Sequence, residues 1–161
     1  MRLYIGLDIG TSFGWAVLDN DGERVSSGTW DLSGTRHEGG GMRELRLRRL
    51  LRDLIAETQG IGEIVAVGYE LVRRRARVSG IETGHVYGEL RGVVKAMCAE
   101  LSVPFGSTEV GTMKKLATGK GNADKAAMMK AAKTRWSLAE AGEDEADALW
   151  AADVIRLEVR L

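Results

Sequence analysis

MRLYIGLDIGTSFGWAVLDNDGERVSSGTW, residues 1–30, decides the fold. From Leu3 to Ile9 the chain alternates, with Leu3, Ile5, Leu7 and Ile9 on one side of a strand and Tyr4, Gly6 and Asp8 on the other. It turns through Gly10, Thr11, Ser12 and Phe13, resumes as GWAVLD, turns again at Asn20, Asp21 and Gly22, and runs on as ERVSSGTW. That is a three-stranded meander with Asp8 near the end of its first strand. A carboxylate between apolar strand neighbours is costly to bury as an ion unless something pairs with it, and a metal ion is the partner this setting points to. The alternative is that Asp8 caps the turn through Thr11 and Ser12.

Beyond the meander, a glycine-rich loop from Ser33 to Gly41, with Arg36 and His37, leads into a helix over about Met42 to Thr58. Leu45, Leu47, Leu50, Leu51, Leu54 and Ile55 mark its core side, with Arg43, Arg46, Arg48, Arg49 and Arg52 elsewhere. Residues 64–69 form a short apolar run suited to a buried central strand, ended by Glu70. A second helix over Glu82 to Leu101 places Val86, Leu90, Val93, Val94 and Met97 at helical spacing, and a fifth strand follows over Val103 to Val110 with the only proline, Pro104. Helical stretches over Gly111 to Ala117 and Ala123 to Trp136, the second capped by Asn122, precede a last amphipathic helix with Ala146, Leu149, Trp150, Val154 and Leu157 as its buried stripe. Three strands in a meander, then helix, strand, helix, strand and terminal helices predict an α/β, RNase H-like fold: a mixed five-stranded sheet of order 3-2-1-4-5 with helices on both faces. At 161 residues the chain is expected to be one domain, residues 1–161, with a proper core.

In open α/β sheets, sites gather outside the carboxyl ends of the strands, where Asp8 and Glu70 both stand. Strands one and four are neighbours in the predicted order, so the two acids come side by side. Asp144 and Asp147, three apart at the start of the last helix, share one helix face and are laid over them. Acids in a first turn also suit the helix dipole, which accounts for Glu143, Asp144 and Glu145 but not for Asp147 at the border of the apolar stripe. The four carboxylates together read as a divalent-metal site.

Net charge is zero, with 23 basic and 23 acidic residues, so no global field advertises a nucleic-acid partner. The distribution does: Arg73, Arg74, Arg75 and Arg77 follow Glu70, and Lys114, Lys115, Lys120, Lys125, Lys130 and Lys133 form a second basic block relieved only by Asp124. Basic surface beside a carboxylate pocket is what a phosphodiester substrate with metal cofactors needs, and the arginines together with Lys114, Lys115, Lys120 and Lys125 are the candidate DNA contacts. The lone Cys98 excludes an intrachain disulfide and cysteine-based zinc binding and sits on an apolar helix face. With no apolar run long enough to span a membrane and no signal segment, a cytoplasmic location is expected.

LDIGTSFGWAV, VAVGYE, HVYGELRGVV, GKGNADKAAM and EDEADALWAA, in that order and across essentially the whole chain, resemble the RuvC-like Holliday-junction resolvases, in particular the short versions encoded by bacteriophages and prophages. The resemblance implies a homodimeric endonuclease that cuts branched DNA by paired symmetric nicks across a four-way junction, leaving 5′-phosphate and 3′-hydroxyl ends. It makes Asp8, Glu70, Asp144 and Asp147 the catalytic, metal-binding acids for two Mg²⁺ ions, with Mn²⁺ as a substitute, and brings Lys120 and Lys125 close to substrate phosphate. The 82–101 helix, with its apolar stripe and Tyr87, is the candidate dimer interface; the alternative is that this stripe packs entirely on the chain's own sheet. Cellular members place an aromatic residue shortly after the second acid; here 71–80 has arginines and no aromatic, which implies broader tolerance of branched structures. An RNA–DNA hybrid nuclease on the same fold and a catalytically silent junction-binding dimer are the alternatives.

Overall fold

The computed structural model describes residues 1–35, 37–71 and 80–159, the side chains of 80–83 excepted. Its strands are β1 (Arg2–Asp8), β2 (Ser12–Asp19), β3 (Arg24–Asp31), β4 (Glu63–Leu71) and β5 (Phe105–Glu109), and its helices α1 (Met42–Ile61), α2 (Gly80–Glu100), α3 (Val110–Thr118), α4 (Lys125–Trp136) and α5 (Glu143–Val159). The sheet has the expected order β3-β2-β1-β4-β5. The meander pairs antiparallel, whereas β4 lies parallel to β1 and β5 parallel to β4. Among the described residues no helix is long and apolar enough to cross a membrane.

Alternation in the strands divides the core as the first strand dictates. Leu3, Ile5, Leu7 and Ile9 pack with Phe13, Val17 and Val67 under α1 and α2, while Ala16 and Leu18 turn to the other face with α3, α4 and α5. The apolar side of α2 (Leu90, Val94, Met97 and Cys98) is buried in that first cluster. The candidate dimer interface on this stripe is therefore corrected: it packs on the chain's own sheet, and Tyr87 is buried with it. Burial pushes the Cys98 thiol up to about 11, so it behaves as a small apolar group.

Several boundaries shift for local reasons. Val103 closes the end of α2, its N–H donating to the Cys98 carbonyl beside Ser102 at φ 54°, so β5 starts two residues later than the pattern predicts. Asp124, not Asn122, caps α4: its side chain accepts from the Ala127 N–H, and the helix begins at Lys125. Leu45 is 59% exposed, away from the core side of α1. Leu157 is also exposed, and α5 is not amphipathic: Ala148, Ala151 and Ala152 are buried along with Ala146, Leu149, Trp150 and Val154. The helix is enclosed because it lies against all five strands on one side and against α3 and α4 on the other.

Its far end is held by a buried ion pair, Arg156 Nε donating to Asp153 Oδ1 at 2.8 Å, and Arg156 also reaches the Asn20 carbonyl. Arg135 Nη2 and Trp136 Nε1 both donate to the Gly22 carbonyl at 3.0 Å. The β2–β3 turn is thus tied to the ends of α4 and α5, a brace the sequence pattern does not announce.

Candidate functional site

Three glycines on the sheet set the position of α5. A Cβ on Gly6 would stand 2.0 Å from the Ala148 carbonyl oxygen, one on Gly14 1.9 Å from the Asp144 carbonyl oxygen, and one on Gly68 2.8 Å from Ile155 Cβ. The helix backbone rests directly on β1, β2 and β4, an approach only glycine permits. Asp8 lies two residues beyond Gly6 and Glu70 two beyond Gly68, so both acids share the face on which α5 rests. The parallel register pairs Gly6 with Gly68 and Leu7 with Tyr69, which puts Asp8 and Glu70 at the next step of adjoining strands. Gly14 pairs with Asp8 across the β1–β2 ladder and meets the first turn of α5 at Asp144.

The sequence-predicted acids therefore lie on one side of the sheet, carried by three elements. Asp8 is buried, and Glu70, Asp144 and Asp147 are half-buried. Burial pushes the Asp147 carboxyl up to about 6, helped by the negative charges of Glu70, Asp144 and Glu143 and opposed by Lys125. Lys125, in the first turn of α4, bonds Glu143 at 2.8 Å and feels Asp147 and Asp144; its own pKa is raised, first by the Glu143 hydrogen bond. Asp144 Oδ2 accepts from Ser12 Oγ at 2.5 Å, and Glu145 Oε1 from Ser27 Oγ at 2.5 Å. Behind the site, Tyr87 donates to the Glu70 carbonyl at 2.9 Å.

The basic candidates divide. Lys125 stands over the acids. Lys120 is exposed in the tight α3–α4 connection, where Gly119 adopts φ 77°, and Lys114 and Lys115 are carried on α3. Arg73, Arg74, Arg75 and Arg77 lie outside the described residues. His85 is exposed on α2, and His37 is exposed in the loop before α1.

By chemistry, a set of carboxylate oxygens fits a hard divalent cation such as Mg²⁺ or Mn²⁺. By position the set is open: among the described residues no three His, Cys, Asp or Glu side chains form a group that could hold a metal ion as they stand. Asp144 is engaged by Ser12, and Glu143 by Lys125.

The roles of Ser12 and Ser27 as carboxylate partners, and the glycine seat, escape a reading based on charge and periodicity. A signal for the seat does exist, because Gly6-Leu7-Asp8 and Gly68-Tyr69-Glu70 repeat the same spacing of glycine to acid at the ends of two strands.

Among solved structures, Thermus thermophilus RuvC superposes with a TM-score of 0.78 at 20% identity, over 98% of this chain and 95% of that one. The fold is that of RuvC. A second structure, T. thermophilus RuvC in complex with Holliday junction substrate, gives a TM-score of 0.80 at 19% identity over 99% and 96% of the two chains. The yeast mitochondrial Holliday junction resolvase gives 0.59 at 15%, covering 97% of this chain and 78% of that one. No protein-family model and no curated protein matches the sequence. The likeness to RuvC is one of fold, and within that fold the acids occupy the carboxyl ends of β1 and β4 and the start of α5.

Proposed function

We propose that this chain is a metal-dependent endonuclease that binds branched DNA, four-way junctions foremost, and cuts it by paired symmetric nicks leaving 5′-phosphate and 3′-hydroxyl ends. The observation that carries the reading is the placement of Asp8 and Glu70 at the carboxyl ends of β1 and β4, with Asp144 and Asp147 at the start of the helix that rests on them, in a RuvC-like fold. Asp8, Glu70, Asp144 and Asp147 would hold Mg²⁺, or Mn²⁺ in its place; two such ions supply an activated water and stabilise the departing 3′ oxygen. Lys125, already beside the acids, would exchange Glu143 for a substrate phosphate, with Lys120 reaching the same backbone. Arg73, Arg74, Arg75 and Arg77 would clamp phosphates next to Glu70 or stack on exposed bases.

Paired nicks need two sites related by a two-fold axis, so the active form on this reading is a homodimer. Support comes from the outward face of α2, where Gly84, Gly88 and Gly92 recur every fourth residue and a Cβ at each would meet nothing within 4 Å.

The test is cleavage of a labelled immobile four-way junction in Mg²⁺, beside linear duplex and RNA–DNA hybrid, by wild type and Asp8→Asn. Symmetric nicks in the junction, lost in the variant while binding persists, are expected. Cutting confined to the hybrid would make it a hybrid nuclease, and binding without cutting in any metal would leave a junction-binding protein.

A further inference from the structure

Asp144 is held at two points by one strand. Its backbone rests on Gly14, where a Cβ would come within 1.9 Å of its carbonyl oxygen, and its Oδ2 accepts from Ser12 Oγ at 2.5 Å. Ser12 and Gly14 are two apart in β2 and so share a face, and Gly14 is the register partner of Asp8. One strand thus seats the helix backbone beside Asp8 and takes one carboxylate oxygen of the helix acid. A hydroxyl donating to one carboxylate oxygen fixes the carboxyl plane and leaves the other oxygen to bind a cation.

We infer that Ser12 is a positioning residue for the divalent cation, turning Asp144 so that Oδ2 is spent on the hydroxyl and Oδ1 is presented to the ion. The inference rests on the metal-site reading given above. Ser27 provides an internal comparison. It makes the same kind of bond, at 2.5 Å, to the neighbouring Glu145 in the same first turn. Both serines brace α5, but only Ser12 acts on an acid of the proposed site, so bracing and metal orientation are separable.

The experiment is a titration of the full chain with MnCl₂, followed by calorimetry and by the rise in thermal midpoint, for wild type, Ser12→Ala, Ser12→Thr and Ser27→Ala. Chemical denaturation in chelator reports folding separately. Ser12→Ala is expected to weaken Mn²⁺ binding by about tenfold, the lower end of what loss of a hydrogen bond behind a metal ligand typically causes. Ser12→Thr, which keeps the hydroxyl, should restore the affinity to within about twofold of wild type. Ser27→Ala should alter chelator-state stability while leaving the affinity unchanged. If wild type binds Mn²⁺ and Ser12→Ala binds it equally well, or Ser12→Thr is as weak as Ser12→Ala, the role of Ser12 is overturned while the metal site stands. If wild type binds no Mn²⁺, the site reading itself falls and takes this inference with it.

Discussion

Asp147 carries a cost that can be measured without any substrate. Its carboxyl is pushed up to about 6 by burial and by Glu70 and Asp144, whereas in the unfolded chain it titrates near 3.8. The folded state therefore holds this proton more tightly, and stability falls as pH rises from about 4 to about 6. Above that window Asp147→Asn should be more stable than wild type by about 2–3 kcal/mol in chelator, and below pH ~4 the difference should vanish. Urea unfolding at several pH values, comparing the two proteins, checks both sign and window. The positions of the four acids, at the ends of β1 and β4 and at the start of α5, were legible in the sequence because strand alternation and helical spacing fix which elements carry them. Their polar partners were not: a hydroxyl such as Ser12 gives no hydropathy or charge signal, and its bond to Asp144 spans 132 positions. The cap of α4 is likewise not decided by residue type, since Asn and Asp both cap well; in the structure the Asp124 side chain accepts from the Ala127 N–H.

At the scale of elements, the strands and helices follow the sequence closely because each carries its own period, and the misjudged positions are those where packing overrides that period. Leu45 looks like a core leucine yet lies outside the face that meets the sheet. Ala148, Ala151 and Ala152 look too small to signal burial yet let α5 sit flush between the sheet and α3 and α4. The seat makes a sharp prediction. Gly14→Ala places a methyl where the Asp144 carbonyl oxygen stands, so it should lower stability by about 3 kcal/mol, the upper end of overpacking costs, and should displace Asp144. Urea unfolding measures the first effect. A weakened Mn²⁺ response in the protein that remains folded measures the second.

For the molecule as a whole, the outward face of α2 was hidden from hydropathy, because glycines at exposed positions read as neither core nor contact. The sequence reading put the interface on the apolar stripe, which the sheet consumes. If a second copy docks on Gly84, Gly88 and Gly92, then Gly88→Leu should give a folded monomer by sedimentation, with single nicks replacing paired ones in the junction assay. If wild type already sediments as a monomer, or Gly88→Leu remains dimeric, that face is not the interface.

Because α5 is the seat's occupant and also supplies two of the four acids, chain order acquires a kinetic meaning. All five strands precede α5 in the sequence, and the contacts that join residue 6 to residue 148 and residue 14 to residue 144 are among the longest-range in the protein. Long-range closure is slow. A nascent chain on the ribosome can assemble its strands with the glycine-lined face still bare, and in that interval it holds Asp8 and Glu70 but neither Asp144 nor Asp147. On the nuclease reading proposed above, a chain whose synthesis stops before residue 144 would lack two of the four acids and would leave DNA uncut.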